Sequence, residues 1–495
     1  MRPSKRLLAL SAALCLILGG CAPGSGESSS EAEKAADTSP QTSVQTEAPA
    51  ETVTSGSETV TSAPETDSAD TTAELIVTEP TYEELRMRKV NAAADLLPEK
   101  ELSNGSLRLL EVSQTSPAAN APQPVAEELF TAKYGVPVEH IYTDFNGRFD
   151  MLASLSLSGK SPDLFPINGT DAFPIGAVKD MFRPVGDLVG EYGLPPAEDS
   201  LACNFVFDGI LYGIAVEAEP KYLCYYGTES VSSAGLDDPA RLFLGGRWDY
   251  NAFERLCSEY CQQSGRIGLG GYDYPQALTE AGGKALLSVR DGLVVSELES
   301  SRIADAQDLI LSLKQKGLSY NGLDETFVSG GQLLFCPAGY SAVTGSLAAD
   351  IADGKIGAVP VPSPESAGGQ YMPAEVRGYY LCAASQNEDA ALIYALCDKL
   401  TADIRFEDLL HDLGAPDKNA DLADCLTECR RLANEAPVFG CTGGMPAEEI
   451  NMMTGQLLSM TASGNAANWA EAVAAARTQL EYAVALVNDT EPAGP

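Results

Sequence analysis

The chain has 495 residues and a formal charge of −38, from 70 acidic and 32 basic side chains. A body that acidic repels nucleic acid and anionic lipid heads, so neither is expected as a partner. His140 and His411 are its only histidines. They are too few for a histidine-rich metal centre, and no GxSxG elbow supports a serine–histidine–acid triad, so no metal or cofactor is expected.

Residues 1–21 read as a leader. Arg2, Lys5 and Arg6 give a basic start, and Leu7–Leu18 is an apolar run. The run ends Leu18-Gly19-Gly20-Cys21, which resembles the bacterial lipobox. That resemblance implies that Cys21 becomes a lipid-bearing amino terminus and the link to a membrane. Residues 22–80 are rich in Ser, Thr, Glu, Ala and Pro and carry twelve acids against the single base Lys34. Such a segment buries too little apolar surface to offset its ordering entropy, so a disordered, self-repelling tether is expected. No later stretch reaches roughly 18 uninterrupted apolar residues, the length of a membrane span. The tether carries −11 and the leader +3, which leaves −30 on residues 81–495.

Twelve cysteines are present, ten of them beyond Cys21. Cys257/Cys261 and Cys425/Cys429 are each spaced i, i+4 on expected helices, without the His or CxxC partners of a zinc site. Buried thiols and one or more disulfides both remain open.

The body opens with a short helix and turn over 81–104. Leu107–Val112 reads as a first strand, about Pro122–Tyr134 as a helix with Val125, Leu129, Phe130 and Tyr134 on one face, and Val136–Tyr142 as a second strand. Phe149, Leu152, Ala153 and Ser156 mark a second helix closed by Gly159, and Asp163–Ile167 a third strand. This alternation argues for a parallel sheet with helices on its faces. Asp208–Tyr226 reads as two strands joined by a polar break at Glu217–Pro220, a segment suited to crossing between lobes. Asp249 is placed to cap a helix carrying Phe253, Leu256, Cys257 and Tyr260. A helix through Ile303–Leu313, strands at Leu333–Phe335, Ile356–Val361 and Tyr379–Ala383, and helices over Asp389–Leu400 and Trp469–Val487 follow.

Five blocks, in order, resemble the extracellular solute-binding proteins of ATP-driven (ABC) importers, family 1, the class that includes maltose-binding protein. Ser158-Gly159-Lys160-Ser161-Pro162-Asp163-Leu164 resembles the family's SGxxPDL turn and strand, and Leu211–Ala218 its YxIAVEA crossover. Trp248–Phe253 resembles the WTWDEF helix start, with Asp249 for Thr and Ala252 for Glu. Phe327–Gln332 resembles the FxxGK block with Gly331 and Gln332 as departures, and Ala384–Ala391 the SKNPEAA helix start. Together they cover roughly residues 105–400.

The resemblance implies an α/β, two-lobed periplasmic-binding-protein-like fold (type II) with a hinge between the lobes. It implies one lobe from about 105–217 and 378–435 and another from about 218–377 and 436–490. The chain would cross near Glu217–Pro220, near Pro373–Tyr379 and near Glu435.

In such folds ligands meet the loops at the carboxyl ends of strands. Those loops carry Gln114, Thr115 and Ser116; Asp144 and Phe145; Asn168 and Asp171; Glu217 and Glu219; Tyr272 and Tyr274; Tyr340; and Tyr371 and Arg377. Carboxylates, amides and aromatic rings suit a neutral polyhydroxylated ligand. The expectation is a lipid-anchored, extracytoplasmic, monomeric binding protein without catalysis. It would capture a carbohydrate or other small solute by hinge closure and present it to the permease subunits of an ABC importer. The alternatives are a surface lipoprotein enzyme such as a glycoside hydrolase, and a binding module that feeds a sensor.

Overall fold

A computed structural model describes residues 80–102, 105–112, 123–144, 147–167, 172–415, 419–441 and 447–488. Helix α1 (Tyr82–Ala94) opens the body, its first turn closed by reciprocal bonds between Thr81 and Glu84. Strand β1 (Leu107–Val112), helix α2 (Val125–Tyr134), strand β2 (Val138–Thr143), helix α3 (Arg148–Leu157) and strand β3 (Leu164–Pro166) then alternate as expected. β2 and β3 lie on either side of β1, both parallel to it.

Two hairpin strands, β4 (Val206–Phe207) and β5 (Ile210–Leu211), precede β6 (Gly213–Pro220) and β7 (Tyr222–Gly227). Helix α4 (Tyr250–Ser264), with Ala252 donating to the Asp249 carboxylate at 2.8 Å, leads to β8 (Ile267–Leu269) and α5 (Tyr274–Ala281). A second hairpin, β9 (Leu287–Arg290) and β10 (Leu293–Ser296), is followed by α6 (Ser301–Gln315), β11 (Leu333–Gly339), β12 (Ile356–Pro360) and β13 (Met372–Leu381). The chain finishes through α7 (Glu388–Leu400), α8 (Ala402–Asp412), α9 (Ala420–Glu435), β14 (Pro437–Phe439), α10 (Ala447–Ser463) and α11 (Trp469–Val487).

Two sheets carry two separate cores. The first sheet runs β14-β13-β3-β1-β2 with β6 also on β13, and the second runs β12-β7-β11-β8. Leu107, Phe130, Phe165, Phe205, Tyr380 and Ile393 belong to the first core, where the Phe182 and Tyr380 rings stack 4.3 Å apart. Tyr225, Trp248, Phe253, Ile310, Phe335 and Leu426 belong to the second, where the rings of Trp248 and Phe253 lie 5.7 and 5.0 Å from that of Phe335.

The chain passes from the first core to the second between Val216 and Ala218 and returns between Ala374 and Val376. Its third passage is helix α8, with Ile404 in the first core and Leu413, just past the helix end, in the second. Two expectations change here. The polar break at Glu217–Pro220 is continuous strand, because its carboxylates meet arginines from later helices. Helix α9, expected in the first lobe, packs Leu422, Cys425, Leu426, Cys429 and Leu432 into the second. One apolar face shows that a helix is buried, not which core receives it.

Two hairpins also meet away from these passages. The β4–β5 and β9–β10 hairpins both turn through Asp-Gly, with φ of 50° and 74° at Asp208 and Gly209 and 52° and 75° at Asp291 and Gly292. Such angles belong to the type I′ turn that matches the strand twist. Val289 packs against the first core, and a Cβ on Gly292 would lie 3.4 Å from the Val206 carbonyl oxygen. Each of the ten cysteines from Cys203 to Cys441 is a free thiol, which answers the disulfide question for the described residues.

Candidate functional site

Strands β6 and β13 form a floor between the lobes, pairing Arg377 with Glu217 and Glu375 with Glu219. The register shifts between Arg377 and Gly378, where a Cβ on Gly378 would overlap the Ile214 carbonyl oxygen. Only glycine permits that approach.

Charge on the floor is matched by helices α7 to α9. Glu217 accepts from Arg405 through one oxygen and from Arg430 at 3.0 Å through the other. Arg405 also donates to Asp398, whose second oxygen accepts from Arg377 Nε at 3.0 Å and from the Tyr379 hydroxyl at 2.7 Å. Burial alone would raise the pKa of the wholly buried Asp398, but Arg377, Arg405 and the Tyr379 hydroxyl together hold it below the usual value. Glu219 goes the other way. Burial, with Glu217 and Asp398 adding, raises it against Arg377 and Arg405, the latter 4.0 Å away. Arg430 further pairs with Asp403 at 2.9 Å and lies 4.9 Å from the Phe406 ring centre.

Two cavities open on this floor and share Glu219, Glu375 and Arg377 as lining. The larger, about 600 Å³, is walled by Glu217, Tyr340, Arg405, Phe406, Leu409 and Arg430 among others. The smaller, about 180 Å³, lies against Glu111 and Val112 at the end of β1 and Pro166 and Ile167 at the end of β3.

Four of the residues expected from the sequence, Glu217, Glu219, Tyr340 and Arg377, therefore line one cavity. Gln114, Thr115, Ser116, Phe145, Asn168 and Asp171, like Cys21, lie outside the described residues. Asp144 serves its own turn, its carboxylate accepting from the Gly147 amide at 2.7 Å at the start of α3. Tyr371 immediately precedes β13 and lines neither cavity; its ring lies 4.9 Å from the Arg302 guanidinium, and its amide donates to the Ser363 hydroxyl at 3.0 Å.

Tyr274 is a correction. Tyr272 is 70% exposed, whereas Tyr274 opens α5 and is wholly buried in the second core. A ring committed to packing is not available to a solute. Glu217 and Arg377 also differ from expectation, since their charged atoms are engaged by protein partners.

Asp398, Arg405 and Arg430 belong to the site without standing out in the sequence. A signal exists for one: Asp398 is the lone acid in the apolar run Ala390–Cys397 and its continuation. A charge on the buried stripe of a helix requires a partner.

Elsewhere, His140 bonds to Glu111 at 3.3 Å and to Glu127 at 2.8 Å, and these partners raise its pKa to about 9 against the opposing effect of burial. Among the described residues no three His, Cys, Asp or Glu side chains are grouped to hold a metal ion. None of the described helices is long and apolar enough to cross a membrane.

A family model described as bacterial extracellular solute-binding protein matches residues 127–410, more than half of the chain. No curated protein sequence matches it. Among solved structures it is similar to the GacH receptor of Streptomyces glaucescens, known in complex with acarbose, at 16% identity and a TM-score of 0.56; the match covers 79% of this chain and all of that one. It is similar to the ABC substrate-binding protein Lmo0181 of Listeria monocytogenes in complex with cycloalternan, at 12% identity and a TM-score of 0.56 over 79% of this chain and all of that one. A third similar structure is UgpB of Mycobacterium tuberculosis in complex with glycerophosphocholine, at 17% identity and a TM-score of 0.55 over 78% of this chain and 99% of that one.

Proposed function

Because this chain belongs to the bacterial extracellular solute-binding proteins, we propose that it captures a carbohydrate between its lobes and delivers it to the permease subunits of an ABC importer. It is a binding protein and not an enzyme. The observation that carries the reading is the meeting of strand ends. β1 and β3 of the first lobe point their carboxyl ends at the floor strands, and β8, β11 and β12 of the second point theirs at the same floor. A solute that touches both lobes favours whichever lobe arrangement makes both contacts, and a membrane partner reads that arrangement. Saccharide is supported over other solutes by Glu219 and Tyr340 in the lining and by the acarbose and cycloalternan bound by two of the similar proteins.

Cys21 would carry the lipid that holds the protein at the outer face of the membrane, and the body would act as a monomer. Replacing Cys21 with alanine should move the protein from the membrane fraction to the medium, and retention would overturn the anchor.

Thermal unfolding of the purified chain against saccharides, polyols, amino acids, peptides and glycerophosphodiesters tests the solute. A ligand at a hundred times its Kd stabilises the folded state by about 2.7 kcal/mol. A saccharide is expected to raise the midpoint. A rise with a peptide or glycerophosphodiester alone would overturn the carbohydrate reading, and turnover of a glycan would overturn the binding-protein reading.

A further inference from the structure

Helix α1 lies outside residues 127–410, the stretch that matches the family model, so that match assigns it nothing. Val90 and Ala93 root it in the first core. Tyr82, Arg86 and Lys89, spaced to fall on one stripe of the helix, turn instead to α8. The Tyr82 ring stacks on that of His411 with centres 4.1 Å apart, and its hydroxyl donates to Asp408 at 2.5 Å. Arg86 Nε donates to both Asp408 oxygens, at 2.9 and 3.1 Å, and its Nη2 to Glu128 of α2 at 3.0 Å. Lys89 pairs with Glu407.

The grip falls at a particular place. On α8, Ile404 lies in the first core, whereas Phe406, Leu409 and Leu410 pack against the second. Helix α1 thus reaches from the first core to the part of the passage that packs on the second. That same part walls the larger cavity through Phe406, Asp408, Leu409 and Asp412. Charge explains why a brace is needed there. Four acids, Asp403, Glu407, Asp408 and Asp412, stand on α8, and like charges four apart repel along a helix. The one arginine of α8, Arg405, is committed to Glu217 and Asp398. Glu407 and Asp408 are met from α1, where the Arg86 side chain is only 16% exposed. Hydrogen bonds to charged groups at such partly buried places are worth more than surface ion pairs.

We infer that α1 is a brace between the first lobe and the α8 wall of the larger cavity, with Tyr82 and Arg86 as positioning residues that act on a bound solute through Asp408. A wall that must be ordered at the moment of binding costs affinity. The effect on affinity rests on the carbohydrate reading above; the brace itself does not.

Hydrogen exchange of the full chain without solute, read by mass spectrometry, tests the brace. Arg86→Ala should speed exchange of the α8 amides by about tenfold and leave β1 and β11 unchanged. Tyr82→Phe, which keeps the ring stack and loses only the hydroxyl bond, should give a smaller rise in α8. Unchanged α8 exchange in both variants overturns the brace, and so does a rise spread equally over β1 and β11. Isothermal titration with acarbose and with malto- and xylo-oligosaccharides tests the positioning role. Arg86→Ala should weaken binding about three- to tenfold. It should cost nothing further in an Asp408→Ala background, because the arginine reaches the solute through that carboxylate. Unchanged or tighter binding by Arg86→Ala, or an equal loss with and without Asp408, overturns the positioning role. If no saccharide binds the unaltered chain, the carbohydrate reading falls and the exchange result alone decides the brace.

Discussion

Glu217 accepts from Arg430 at 3.0 Å, and this single bond ties a strand leaving the first lobe to a helix buried in the second. Arg405 extends the tie to Asp398 from a helix that itself passes between the cores. The cluster is a joint rather than a set of free ligand groups.

Glu217→Gln should therefore act first on stability. It keeps the shape but leaves two guanidiniums short of one negative charge, in a place where Glu217 is 10% exposed and the two arginines 24% and 23%. Breaking such a pair costs about 3 kcal/mol. Urea unfolding of the variant should show that loss. A variant that unfolds like the parent but no longer binds solute would return Glu217 to the ligand contacts.

Asp398 sets an acid limit. Its folded pKa lies below the ordinary carboxylate value of about 3.9, so its stabilisation is present above that pH and disappears as pH falls through the folded value. The unfolding midpoint should drop as pH falls below about 4. Asp398→Asn should be less stable at neutral pH and show a shallower drop. Parallel curves for the two proteins would place the acid sensitivity elsewhere.

His140 sets an alkaline one. Hydrogen bonds donated to the Glu111 and Glu127 carboxylates raise its pKa from 6.5 to about 9. A raised pKa stabilises fully below the unfolded value and fades as pH rises through the folded one. Between pH 6.5 and about 9 the midpoint of the parent should decline by a component absent from His140→Gln. An imidazole that titrates near 6.5 by NMR would contradict this account.

What the sequence discloses follows the range of the interactions concerned. Strands β1 to β3 and the helices between them are legible because hydrophobic periodicity and turn residues are local. The capping of α4 by Asp249 is legible for the same reason. The destination of α9 is not, since Leu422, Cys425 and Leu426 would suit either core equally. Tyr272 and Tyr274 look alike two residues apart, yet α5 begins between them and carries only the second inward. Arg405 and Arg430 are hidden for a different reason: their partner Glu217 is 188 and 213 residues away, and no local pattern pairs charges at that distance.

The two Asp-Gly turns come together away from the crossing strands, where a Cβ on Gly292 would lie 3.4 Å from the Val206 carbonyl oxygen. That spacing is an ordinary contact, so room alone does not bar a side chain there. The φ of 75° does, because it is a backbone conformation that suits glycine. A methyl group at this tip would therefore strain the turn itself before it pressed on the neighbouring hairpin.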